Sequence, residues 1–132
     1  MIDLNEDRTA AISIGGVEYP LLLTTKATKS IAKKYGGLSD LGDKLMKTEN
    51  FELALEEIIW LITLLANQPI LIHNLQHPNE KREPLTEETV ELLTTPLELG
   101  EYKTALMAAM VKGTRRNVVS EDDGEPKNKP GA

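Results

Sequence analysis

His73 and His77 are the only histidines in the chain and stand four residues apart. On a helix that spacing can bring two imidazoles to one metal ion. The glutamate that follows the first histidine of a zinc-protease helix is missing, because residue 74 is asparagine. His77 also precedes Pro78, a position that disfavours helical geometry. The pair therefore reads as surface histidines near a helix end, and no metal ligand is assigned. Glu56 and Glu57 are adjacent, so on a helix they point about 100° apart and cannot share a site as a catalytic carboxylate pair would. The chain has no cysteine, hence no thiolate nucleophile and no disulfide. No nucleophile elbow or phosphate-binding glycine loop is present. These readings assign no catalytic residue and no cofactor, and they point away from an enzyme.

Lys26, Lys29 and Lys33 share one helix face, with Lys34 beside it. TKATKSIAKKYGGLSDLGDKL has the rhythm of a helix-turn-helix, which makes a small DNA-binding regulator one alternative. The element that would enter the groove carries Asp40 and Asp43 with a single Lys44, and aspartate facing phosphate is repulsive. A solvated basic face is the simpler reading. Binding chemistry of another kind is suggested by Leu53, Trp60 and Leu64, which form a lateral strip on a helix with Glu57 beside it. Met107 and Met110 lie near the end of the last helix, and methionine-bearing surfaces adapt to varied partners. Leu53, Glu57, Trp60, Leu64, Met107 and Met110 are accordingly the candidate partner-binding residues, with ordinary core packing as the competing explanation.

The segment that must position them is Phe51 to Ala66, FELALEEIIWLITLLA, in which twelve of sixteen residues are apolar. At about 100° per residue, Phe51, Ala54, Leu55, Ile58, Leu61, Ile62 and Leu65 face one way, and Glu52, Glu56, Thr63 and Asn67 fall opposite. As read, the segment is too short to span a bilayer, which takes about 20 apolar residues. It is expected to stop near Asn67-Gln68-Pro69, with Pro69 ending it or opening a short segment over Ile70 to Leu75. Before it, Ala10, Ile12 and Ile14 alternate, Gly15-Gly16 turns, and Val17, Tyr19, Leu21 and Leu23 alternate back, predicting a β-hairpin over residues 9–23. Thr24 or Thr25 caps a helix that runs from residue 25 to Tyr35 and ends at Gly36. A shorter helix is expected over Leu38 to Met46, with Thr48 or Asn50 capping the central one. Thr86 caps a helix whose apolar positions are Val90, Leu92 and Leu93. Thr95-Pro96-Leu97-Glu98 is a capping box that opens the last helix, which runs to about Lys112 with Gly113 following. Its apolar face is Leu99, Tyr102, Ala105, Leu106, Ala109 and Met110.

The fold class is therefore α+β, mostly α: an N-terminal hairpin, a bundle of about five helices, and a disordered C-terminal tail. Residues 1–113 form a single folded domain, helical from 25 to 112. Residues 114–132 are too polar to offset the entropy of ordering. Net charge is −6 and the isoelectric point about 5.0, which opposes binding to nucleic acid or an anionic membrane. No signal peptide is read in the acidic, polar opening.

Taken in order, the pieces IGGVEYPL, KYGGL, FELALEEIIWLITLLANQ and TTPLEL resemble the tail assembly chaperones of long-tailed bacteriophages and prophages over roughly residues 9–113. The resemblance implies a non-enzymatic protein of the bacterial host cytoplasm, absent from the mature virion. Its partners would be the tape measure protein, which it keeps soluble, tail tube subunits, and further copies of itself. Many such proteins have a longer frameshifted form, and Pro126-Lys127-Asn128 can be encoded over a slippery heptanucleotide. A structural head–tail connector subunit is a further alternative.

Overall fold

The computed structural model describes residues 9–37 and 51–114, with side chains from Ala10 to Gly37 and from Ala54 to Thr114. Strands β1 (Thr9–Ile14) and β2 (Val17–Leu22) pair antiparallel, with Ile14 opposite Val17 and Ala11 opposite Pro20. Gly15 and Gly16 hold φ of 59° and 83°. A two-residue primed turn needs positive φ at both positions, which glycine adopts without steric cost. Ile12 and Ile14 are buried while Ala11 and Ser13 are exposed, so β1 turns one face to the core as its alternation requires. β2 departs from strict alternation at its end, where Leu21 and Leu22 are both buried, as is Leu23 just beyond it.

Helix α1 spans Thr25–Tyr35. Thr24 caps it, its hydroxyl accepting from the Ala27 amide at 3.0 Å, and Gly36 at φ 101° closes it. The helix expected over Leu38 to Met46 and the caps Thr48 and Asn50 lie outside the described residues. So does the tail beyond Thr114.

Helix α2, Phe51–Gln76, is longer than its sequence suggests. It passes through Pro69, where a stop was expected. Proline inside a helix removes one amide bond and crowds the carbonyl four residues back, at a cost of about 3 kcal/mol. Burial of the turns ahead of the position outweighs that cost. Ile58, Ile59, Leu61, Ile62, Leu65 and Ala66 are buried ahead of it against the hairpin and the last helix. Buried Gln68 donates its side-chain amide to the Leu64 carbonyl at 2.9 Å, satisfying an acceptor next to the disturbed turn. The uninterrupted helix also revises the length argument against a membrane span, because Ala54–Gln76 alone is long and apolar enough to cross one. In the fold, this helix is the element around which the core is built.

Helices α3 (Glu87–Leu93) and α4 (Pro96–Thr114) follow, so four helices occur among the described residues. Thr86 accepts from the Thr89 amide at 3.1 Å, as the cap reading requires. The capping box forms in both directions, from the Thr95 amide to Glu98 Oε1 at 2.9 Å and from the Glu98 amide to Thr95 Oγ1 at 3.3 Å. Leu99, Tyr102, Leu106, Ala109 and Met110 of α4 are buried, with Ala105 half-buried. Gly113 lies inside α4 instead of after it, and a Cβ there would sit 2.5 Å from Leu23 Cβ.

Between α2 and α3, the chain returns along α2 as a strap. Asn67 donates to the Leu85 carbonyl at 2.9 Å and accepts from the Leu85 amide at 2.7 Å. Asn74 does the same with Arg82, at 3.0 and 2.7 Å. Each side-chain amide thereby stands in for a neighbouring strand's peptide group. Asn67→Ala is expected to cost about 1 kcal/mol, since it strips two hydrogen bonds from a half-buried backbone. Urea unfolding of the two proteins measures it.

Candidate functional site: an apolar corner at the hairpin tip

The candidate partner-binding residues do not form one exposed strip. Trp60 is half-buried and meets Tyr35 edge-on, with ring centroids 5.9 Å apart. Lys34 Nζ lies over the Trp60 ring, 4.7 Å from its centroid. The end of α1 therefore covers much of what the sequence offered as a docking strip. Glu57 is buried and Leu64 half-buried against the core. Met110 is buried and Met107 half-buried, so the former serves the core and presents no surface. The Leu53 side chain lies outside the described residues. Lys34, Glu56, Glu57, Ile59, Trp60, Glu87 and Glu91 line a shallow hollow of about 260 Å³ between α1, α2 and α3.

His73 and His77 stack with ring centroids 4.7 Å apart. His73 Nε2 donates to the Glu80 carbonyl at 2.8 Å, which gives it a place in the strap. Among the described residues, no group of three or more histidine, aspartate or glutamate side chains is arranged to hold a metal ion.

The apolar surface lies elsewhere. Leu92 is 75% exposed, Leu93 50%, Leu97 74% and Val17 53%, with Leu75 at 81% on the far end of α2. The sequence offers Leu92 and Leu93 with Val90 as the apolar positions of α3. Val90 alone of the three is buried; Leu92 points about 160° away from it, while Leu93, one turn on from Val90, stays half-exposed beside the hairpin turn. The hairpin tip and the α3–α4 corner are adjacent. A Cβ added to Gly15 would lie 3.1 Å from Leu93 Cδ1. Val17 shares a sheet face with Ile14, its cross-strand partner, and is half-exposed at the end of the hairpin. The Tyr102 hydroxyl donates to the Ser13 carbonyl and ties α4 to the strand just before the turn.

Burial raises the Tyr102 phenol above its ordinary pKa of 10.0, and the carboxylates of Glu98 and Glu101 add to the shift. A phenol that stays neutral in the fold while its unfolded counterpart ionises loses stability as pH climbs. Full stability is thus kept below pH 10.0 and falls above it. Tyr102→Phe is expected to flatten that alkaline decline in a series of melts, at the expense of the bond to Ser13.

No family model, curated protein or solved structure matches the chain.

Proposed function

We propose that this protein is a tail assembly chaperone of a long-tailed bacteriophage or prophage. It binds and solubilises the tape measure protein in the host cytoplasm during tail morphogenesis, without catalysis, and is left out of the mature virion. The observation that carries this reading is the leucine surface left after the fold closes: Leu75, Leu92 and Leu97 are each about three-quarters exposed or more. A protein of 132 residues with such side chains outward offers cover to amphipathic helices, which bury leucine stripes in apolar grooves. The order of hairpin, basic helix, long apolar helix and proline-opened last helix supports the same assignment through its resemblance to that family. Self-association and recruitment of tail tube subunits belong to the proposal.

The test is co-expression with the tape measure product of the same genome. The chaperone reading requires that product to move from the insoluble to the soluble fraction, and requires a complex that survives gel filtration. Recovery of the protein in purified particles would replace it with the connector alternative. Salt-dependent binding to duplex DNA would replace it with the regulator, whose groove-facing element would fall in residues outside those described.

A further inference from the structure

We infer that the corner formed by Val17, Leu92, Leu93 and Leu97 docks an amphipathic helix whose apolar face is flanked by lysine or arginine. This deepens the chaperone reading and rests on it, by naming the surface and the chemistry of the segment it accepts. The argument is charge complementarity around an apolar centre. Residues 87–101 carry five glutamates and no basic residue. Glu87 and Glu91 line the hollow on one flank of α3, where exposed Glu56 joins them from α2. Glu98 and Glu101 stand on α4, the first beside Leu97 in sequence and the second one helical turn on from it. Among the described residues Lys34 is the one basic residue lining the hollow, and it is seated over Trp60. A partner that covers the leucines therefore meets the carboxylates carried by the same two helices. Basic flanks gain from that field, and acidic flanks are repelled. A second copy joined through the same patch would set glutamate against glutamate, so self-pairing is disfavoured here. Leu93 lies against the hairpin turn at Gly15, Val17 opens the strand that leaves that turn, and Leu97 stands in the first turn of α4.

The probe is a designed helical peptide of about 20 residues built from leucine and lysine, with a companion carrying glutamate for every lysine. Fluorescence anisotropy with the full chain reads both. The lysine peptide is expected to bind at least about tenfold more tightly than the glutamate peptide. Its affinity should fall as salt rises and screens the rim. The double variant Leu92→Ser, Leu97→Ser should weaken it by about tenfold or more. Leu75→Ser, at another exposed leucine, should leave it unchanged. Both substitutions fall on exposed side chains, and circular dichroism checks that the fold is kept. Equal binding of the two peptides, or equal loss from Leu75→Ser, overturns the inference. So does a dimer that the double variant converts to monomer, since the patch would then be occupied by a second copy. If the tape measure product is solubilised while the lysine peptide fails to bind, this docking surface falls and the chaperone reading stands. If the peptide binds as expected and the tape measure product stays insoluble, the reverse holds.

Discussion

Gln68→Leu is expected to destabilise the protein by about 2–3 kcal/mol, although leucine fills a similar volume and sits in an apolar helix. Gln68 is 3% exposed, and its amide joins two elements. The Thr24 hydroxyl donates to Gln68 Oε1 at 2.6 Å, and Gln68 Nε2 donates to the Leu64 carbonyl at 2.9 Å. Thr24 in turn accepts from the Ala27 amide and so caps α1. Leucine leaves the Thr24 hydroxyl without its acceptor and the Leu64 carbonyl without the extra donor beside Pro69. Removing one partner from a buried hydrogen bond costs more than the bond's own net contribution, because the group left behind keeps its desolvation penalty. Thr24→Ala is expected to cost about 2 kcal/mol, because it removes the cap and leaves buried Gln68 Oε1 without its donor. The double variant should fall short of the sum by more than about 0.5 kcal/mol, because both changes break one network. Urea melts of the four proteins close the cycle. Strict additivity would show that cap and helix are not coupled through this pair.

Gly113→Val should cost about 2 kcal/mol, in a helix where most replacements of glycine help. A Cβ at position 113 meets Leu23 Cβ at 2.5 Å and Leu23 Cδ2 at 2.9 Å. Leu23 is buried in the core, so α4 must move off the hairpin to make room. Overpacking of this kind costs about 1–3 kcal/mol. Valine recovers only a few tenths through helix propensity, because its branched side chain is itself a weak helix former. A thermal melt of the variant decides the matter. An unchanged or raised midpoint would mean that α4 and Leu23 can part without loss.

Local rules were enough for much of this fold. The glycine pair, the threonine caps and the reciprocal Thr95–Glu98 box each involve residues within a few positions of one another, and each forms where the spacing places it. Pro69 was misleading for the opposite reason. Its local preference is to end a helix, and packing contributed by β2 and α4 overrides it. Asn67 was legible as a polar member of a helix stripe, but its partner Leu85 lies 18 residues away and offers only backbone. The corner leucines carry a sharper lesson. Apolar type groups Leu92 and Leu93 with Val90, whereas angular spacing sets Leu92 on the side away from Val90, and Leu93 stays half-exposed at the hairpin tip. Trp60 drew attention as a large apolar side chain, and α1 supplies it with Tyr35 and Lys34.

The two asparagine clamps behave as a ruler. Asn67 and Asn74 are seven helical residues apart, a rise of about 10.5 Å, while Arg82 and Leu85 are three residues apart, about 10 Å of extended chain. The match is one of distance, and the bonds reach only main-chain atoms. Positions 83 and 84 should accordingly accept most side chains, yet one inserted or deleted residue between Arg82 and Leu85 would leave the clamps out of step. Genetic drift in this stretch should be permissive in spelling and strict in count.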